Sequence, residues 1–85
     1  MPTVKLYANL RKLAETKELS IAGETVGAVV NELGRQKPPV GDVIFENGGL
    51  RQHIIVTVNG QNVVDLEAPV KEQDIIAIFP PIAGG

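Results

Sequence analysis

The sequence contains no cysteine and only one histidine among its 85 residues. Without cysteine there is no disulfide, no thiol nucleophile, and no zinc–thiolate or iron–sulfur site. A histidine-based triad or metal cluster would depend on His53 alone, and the local pattern puts that residue at the start of a strand, as an ordinary surface histidine. These absences remove the commonest catalytic and metal-binding side chains.

Charge and hydropathy argue against two further classes of protein. Ten acidic residues against eight basic ones give a formal net charge of −2, so the basic excess typical of a nucleic-acid-binding surface is missing. No apolar run approaches the ~20 residues that a membrane-spanning helix needs, and the first residues do not resemble a signal peptide. We therefore expect a cytoplasmic protein that binds neither nucleic acid nor membrane.

The remaining reactive side chains form no recognisable catalytic motif. Ser20, the only serine, lies in a short strand without the glycines of a nucleophile elbow. The acidic residues between 65 and 74 fall in turns, and neither a P-loop nor a G-x-G-x-x-G pattern occurs. We predict that the chain has no catalytic side chains, holds no metal and binds no cofactor by itself.

What the sequence does contain is a set of strand signals. Apolar and polar residues alternate in VKLYA and in ELSIA, which predicts two short strands that pair as a hairpin, joined by a connection over residues 9–16. Asn59-Gly60 lies between two β-branched runs and predicts a type I′ hairpin turn. The segment Ile75–Phe79 predicts a last strand.

Between these strands the hydrophobic period becomes that of a helix. The stretch TVGAVVNELGRQ places four aliphatic side chains on one helical face, at Val26, Val29, Val30 and Leu33. Thr25 is the predicted N-cap and Gly34 the predicted stop. Apolar residues between 40 and 45 predict a short helical turn that fills the core, and Asn47-Gly48-Gly49 predicts a turn.

This order of elements predicts an α+β fold. The best arrangement is a β-grasp (ubiquitin-like) roll, in which a mixed sheet of about five strands packs on one main helix. Residues 1–79 would form this single domain. Residues 80–85 would form an extended, flexible C-terminal tail ending Gly-Gly.

The last strand has one face that the helix does not need. Alternate side chains of a strand point to opposite faces, so Ile75, Ala77 and Phe79 share the face away from the helix. If Ile55 of the neighbouring strand joins them, the outer face carries an apolar patch of the kind that marks a partner site. The alternative is that loop residues such as Phe45 cover it.

The tail has its own chemical logic. Pro80 and Pro81 lack amide donors and end the sheet. Gly84 and Gly85 have no Cβ, so an arm reaching at most ~20 Å from the fold could thread a narrow channel. Its reactive group would be the carboxylate of Gly85, which as an acyl-adenylate reacts with sulfur or amine nucleophiles.

Three segments resemble one known family, the small subunit of molybdopterin synthase (MoaD). They are NLRKLAETKE near the start, VNGQNV in the middle and KEQDIIAIFPPIAGG at the end. This family is grouped with the thiamine sulfur carrier ThiS among ubiquitin-like β-grasp proteins. The resemblance covers essentially the whole chain, and its FPP stretch favours the molybdopterin branch over the thiamine branch.

The resemblance implies a sulfur carrier rather than an enzyme. A ubiquitin-activating-like (MoeB-like) enzyme would use ATP and Mg to adenylate Gly85, and a sulfur donor would convert the adenylate to a thiocarboxylate. Phe79 matches a family aromatic residue that contacts the activating enzyme. The large synthase subunit (MoaE-like) would bind the pterin precursor, build the molybdopterin dithiolene and receive a threaded tail of Pro80, Pro81, Ile82, Ala83 and Gly84.

Other functions remain open at this point. A thiamine-type or tRNA-thiolation sulfur carrier, which would also use a terminal glycine, is one alternative. A ubiquitin-like modifier would instead join Gly85 to target lysines. In a plain binding module, the terminal glycines would be incidental.

Overall fold

The computed structural model describes residues 1–63 and 65–80. This part of the chain contains seven strands and three helices. In chain order they are β1 (Thr3–Leu6), α1 (Asn9–Ala14), β2 (Glu18–Ser20), α2 (Val26–Gln36), α3 (Pro38–Ile44), β3 (Phe45–Glu46), β4 (Gly49–Leu50), β5 (Ile55–Val58), β6 (Gln61–Asn62) and β7 (Ile75–Phe79).

Five of the strands form one mixed sheet in the order β2-β1-β7-β5-β6. The first and last strands, β1 and β7, lie side by side and parallel, and all the other pairs are antiparallel. A parallel pair needs a long crossover, and here the crossover contains α2. The predicted α+β roll with a mixed five-stranded sheet is confirmed. β3 and β4 form a separate small hairpin.

The core lies between one face of this sheet and the helices. The four aliphatic residues predicted on one face of α2 are all buried, and Thr25 caps that helix by accepting a hydrogen bond from the Ala28 amide at 3.1 Å. Each buried aliphatic side chain contributes about 1.5–3 kcal/mol, which holds a valine-rich helix of weak intrinsic propensity. From the strands come Val4, Leu6, Val56, Ile76 and Ile78.

The predicted connection over residues 9–16 is wrong, because most of it is helix α1. Leu10 and Ala14 are buried on its inner side. The helix lies between two non-glycine residues with positive φ, Ala8 and Glu15, and Glu15 ends it in the left-handed conformation. Six residues are too few to show a helical period, so the sequence pattern gave no signal for this element.

Gly34 does not end α2, contrary to the prediction. A Cβ at this position would lie 3.0 Å from Cε2 of Phe45 and 3.5 Å from the Cα of Gly41, so the glycine permits α2 and α3 to pack closely. The helix ends instead at Gln36, with Lys37 as its C-cap, because Pro38 disfavours helical geometry in the residue before it. The predicted core-filling turn is confirmed as α3.

The turn at Asn59-Gly60 is confirmed and also anchors β7. Both residues have positive φ, at 51° and 87°, as a type I′ turn requires. The Asn59 side chain accepts a hydrogen bond from the Ile75 amide and donates one to Asp74 Oδ1, each at 3.0 Å. These bonds fix the start of β7 against the hairpin of β5 and β6.

Candidate functional site

The four residues predicted to form an outward apolar patch lie together on the outer face of the sheet. Ile55 on β5 stands opposite Phe79 on β7, and Ala77 and Ile75 follow along the same face. Ile55 is 47% exposed and Ile75 is 41% exposed, whereas Phe79 is half-buried and Ala77 is buried. We call these four residues the outer patch. Its contact with a partner remains a prediction.

Phe45 does not cover the outer patch. Its ring packs beside Gly34 of α2, on the helical side of the sheet. The alternative in which this loop residue shields the apolar face is therefore wrong. Instead, the outer patch is extended on the same face by an aromatic residue that follows β1, the strand that flanks β7 opposite β5.

That aromatic residue is Tyr7, directly after β1. Its ring stacks on Phe79, with ring centroids 4.5 Å apart and an interplanar angle of 13°. The guanidinium of Arg11 lies 5.4 Å from the Tyr7 centroid, and its Nε donates a hydrogen bond to the Leu6 carbonyl at 3.0 Å. The three side chains form a stack at the end of β7 from which the chain continues to Pro80.

Sequence reasoning did not link Tyr7 to Phe79. The link comes from the parallel register of β1 and β7, in which Leu6 stands opposite Ile78. The next residue on each strand then falls on the outer face beside the other. Alternation alone identified the face of each strand, but it did not identify which strands are neighbours.

A polar groove adjoins this stack at the N-terminal strands. Its volume is about 170 Å³. The Leu6 amide donates a hydrogen bond to the Lys17 carbonyl at 2.9 Å, which holds the segment before β2 against β1. The groove is lined by Lys5, Leu6, Tyr7, Arg11, Lys17 and Glu18. We call this groove the basic groove, because three of these six residues are cationic.

The other reactive residues do not converge. His53 lies in a turn before β5, with φ of 75°, rather than at the start of the strand as predicted, and it is exposed. Ser20 is exposed on the edge strand β2. Within residues 1–63 and 65–80, no three histidine or acidic side chains come together as metal ligands would.

The perturbed carboxylates are surface groups in structural contacts. The pKa of Glu32 is lowered to about 2, chiefly by hydrogen bonds from Arg35 and then Gln36. The pKa of Asp74 is lowered by the Lys71 amide and then by Asn59. A lowered pKa makes a carboxylate a weaker base, which is the opposite of what general acid–base catalysis near neutral pH needs.

The predicted tail lies largely outside the described residues. Pro80 is half-buried and directly follows β7. The predictions for Pro81, Ile82, Ala83, Gly84 and Gly85 fall on residues that the structure does not describe, and the predicted boundary after residue 79 is not tested by the described residues. They stay predictions.

The mixed sheet packed on α2 and α3 is a β-grasp fold, which defines the class as ubiquitin-like small proteins. A family model described as the ThiS family matches residues 4–85. The chain therefore belongs to the ThiS family of small ubiquitin-like carriers and modifiers. Among solved structures, small archaeal modifier protein 1 from Methanosarcina acetivorans is 39% identical, with a TM-score of 0.90, and the match covers 99% of this chain and 95% of that one.

Two further relatives show the same full-length match. Small archaeal modifier protein 3 of Haloferax volcanii is 33% identical, with 96% of each chain covered. The BexX/CysO complex of Amycolatopsis orientalis contains a chain that is 28% identical over 100% of both chains, with a TM-score of 0.86. The expected family is thus confirmed at the level of ThiS-type proteins.

Proposed function

We propose that this protein is a sulfur carrier activated at the carboxylate of Gly85 by a ubiquitin-activating-like (MoeB-like) enzyme. One observation carries the proposal: Phe79 belongs to the outer patch, and the next residue along the chain is Pro80. A partner that binds the patch is therefore next to the segment that leads to Gly85. Docking and delivery would use one continuous stretch of chain.

The chemistry would take place on the terminal carboxylate. It would attack the α-phosphate of ATP, with Mg held by the partner, and release pyrophosphate. Sulfide, the simplest sulfur donor, would then attack the acyl-adenylate and displace AMP, leaving a thiocarboxylate on Gly85. Because adenylation consumes ATP, this reaction belongs to the cytoplasm. The chain itself would supply binding and reach, without a catalytic side chain.

We further propose molybdopterin synthesis as the use of this sulfur. The support is the ending FPPIAGG, which resembles the MoaD branch of the family. A MoaE-like large subunit would bind the pterin precursor and receive residues 80–84 in its active site. The thiocarboxylate of Gly85 would then supply sulfur for the dithiolene. Thiamine-type and tRNA-thiolation carriers would share the activation step and differ only in the acceptor.

A second candidate function is protein modification. The observation that favours it is that two of the relatives above, at 33% and 39% identity, are named modifier proteins. In this function a lysine amine, instead of sulfide, would attack the activated carbonyl of Gly85 and form an isopeptide bond. Both functions need the same activation, so they can coexist in one protein.

Mass measurements with purified components and in cell extract distinguish the two functions. The protein is incubated with ATP, Mg, sulfide and the activating enzyme from its own genome, and its intact mass is measured. A gain of about 16 Da, from replacement of oxygen by sulfur, supports the carrier. Lysine-linked adducts of higher mass in cell extract support the modifier. Deletion of Gly85 is the control and should abolish both products while leaving the unfolding midpoint unchanged.

A further inference from the structure

The basic groove contains cations that form no ion pair with a described carboxylate, although Glu18 stands opposite Lys5 in the pair of β1 and β2. Other exposed arginines have carboxylate partners: Arg35 pairs with Glu32 at 2.6 Å, and Arg51 pairs with Glu46 at 2.8 Å. Within the described part of the chain, no carboxylate lies within 4.0 Å of the charged nitrogens of the groove cations, although Glu18 lines the same groove. These cations are Lys5, Arg11 and Lys17.

Charge is also distributed unevenly between the two ends of β7. The acidic end is where β7 begins: residues 65–74 contain four acidic residues and one basic residue. The basic end is where β7 leads to Pro80. Toward that end, residues 5–18 contain two acidic residues and four basic ones, Lys5, Arg11, Lys12 and Lys17. The end that bears the tail is thus positive in a protein whose net charge is negative.

The basic groove and the outer patch are continuous. Tyr7 lines the groove and stacks on Phe79, so one residue belongs to both surfaces. Lys5 stands opposite Ala77 in the parallel pair of β1 and β7. A protein that covers the outer patch therefore reaches the groove as well. This arrangement is an apolar centre with a charged rim, as expected of a protein–protein interface.

We propose that the basic groove accepts acidic side chains of the activating enzyme. This inference rests on the function proposed above, because it assigns a second contact to the same partner. A free anion would gain only screened attraction in so open a site. A carboxylate on a protein already bound at the outer patch arrives at a high effective concentration, which makes the same contact useful. The positive groove would also steer the carrier during encounter.

Arg11 is a poor residue for the test, because it has a structural role. Its hydrogen bond to Leu6 and its position over Tyr7 hold the stack, so its loss would change two things at once. Lys5 and Lys17 line the groove, and no described side chain forms an ion pair with either of them. Their replacement removes charge and leaves the packing in place.

The test measures ATP–pyrophosphate exchange by the activating enzyme as a function of carrier concentration. For the double variant Lys5→Gln/Lys17→Gln we expect KM to rise about tenfold, with kcat within about twofold of wild type. The matched control is Lys12→Gln/Lys71→Gln, which makes the same change in net charge at two exposed lysines outside the groove. We expect its KM to stay within about twofold of wild type.

Salt provides the second readout. Raising the salt concentration should increase the KM of wild type and of the control more than that of the groove variant, since only the groove variant lacks the screened contact. Equal KM values for the groove variant and its control would overturn the groove proposal. If wild type itself is not adenylated, the proposed function fails instead. Urea unfolding of each variant verifies that it is folded.

Discussion

Alternate residues of β7 have the same chemistry and opposite surroundings. Ile76 and Ile78 are fully buried against the helices, whereas Ile75 is 41% exposed on the other face of the same strand. A central strand that needed only stability would bury apolar side chains or expose polar ones. Ile75 lies on the same face as Phe79 and Ile55, and our proposal is that this face contacts another molecule. In this proposal the inner face of β7 serves folding and its outer face serves function.

The largest effect expected from this comparison is on the inner face. Ile78→Ala removes buried methyl groups and leaves a cavity, so we expect a loss of about 2–5 kcal/mol in the free energy of unfolding. Urea unfolding followed by circular dichroism measures this loss. A loss below about 1 kcal/mol would show that Ile78 is not part of a tightly packed core.

The next effect concerns the crossing of α2 and α3. Gly34→Val would force side-chain atoms into the space taken by Phe45 and Gly41, so we expect a loss of about 1–3 kcal/mol of unfolding free energy. Gly49→Val is the matched control, because a Cβ at Gly49 has no described atom within 4 Å and that residue does not have a positive φ. Equal losses for both variants would contradict the close packing at Gly34.

A smaller effect, of the opposite kind, is expected on the outer face. Ile75→Ala should change the free energy of unfolding by no more than about 0.5 kcal/mol, because its side chain is already well exposed. It should raise KM in the activation reaction about threefold, by removing apolar contact area. The comparison of the two faces is supported if Ile75→Ala affects KM more than stability, whereas Ile78→Ala affects stability more than KM. A large loss of stability would assign Ile75 to the core.

The smallest expected effect is the pH dependence of the hydrogen bonds that Asp74 accepts at the start of β7. The pKa of Asp74 is lowered in the folded protein, first by the hydrogen bond from the Lys71 amide and then by that from Asn59. Its contribution is thus fully present above the ordinary aspartate pKa and is lost as pH falls through the lower folded value. Asp74→Asn should flatten the decline of unfolding midpoints below about pH 4. Parallel curves for the two proteins would exclude this contribution.

The features that the sequence predicted are those that a few neighbouring residues determine. The helical face of Val26 and Val30, the strand Ile75–Phe79 and the Asn59-Gly60 turn each follow from a local period or a required positive φ. Alternation within a strand is also local, so it predicted which residues of β7 lie on the outer face. The candidate partner residues could therefore be named before the sheet was known.

The features that were missed depend on residues distant in sequence. Helix α1 is too short to have a period, and it is held by the burial of Leu10. Gly34 is a residue type that often ends a helix, but its role here is close packing beside Phe45 of β3. The stack of Tyr7 on Phe79 and the basic groove beside it need the parallel neighbour relation of β1 and β7. A local sequence pattern does not show which strands are neighbours in the sheet.

The central claim is that the outer face of β7 serves activation of Gly85, and Phe79→Ala tests it most directly. ATP–pyrophosphate exchange by the activating enzyme is measured against carrier concentration, and urea unfolding is measured on the same samples. Loss of the stack on Tyr7 should cost about 0.5–1.5 kcal/mol beyond the lost area of this half-buried ring, and the urea unfolding verifies that the variant is folded. We predict a KM at least about tenfold above wild type, which would exceed the effect of Ile75→Ala. An unchanged KM in a folded variant would contradict the claim.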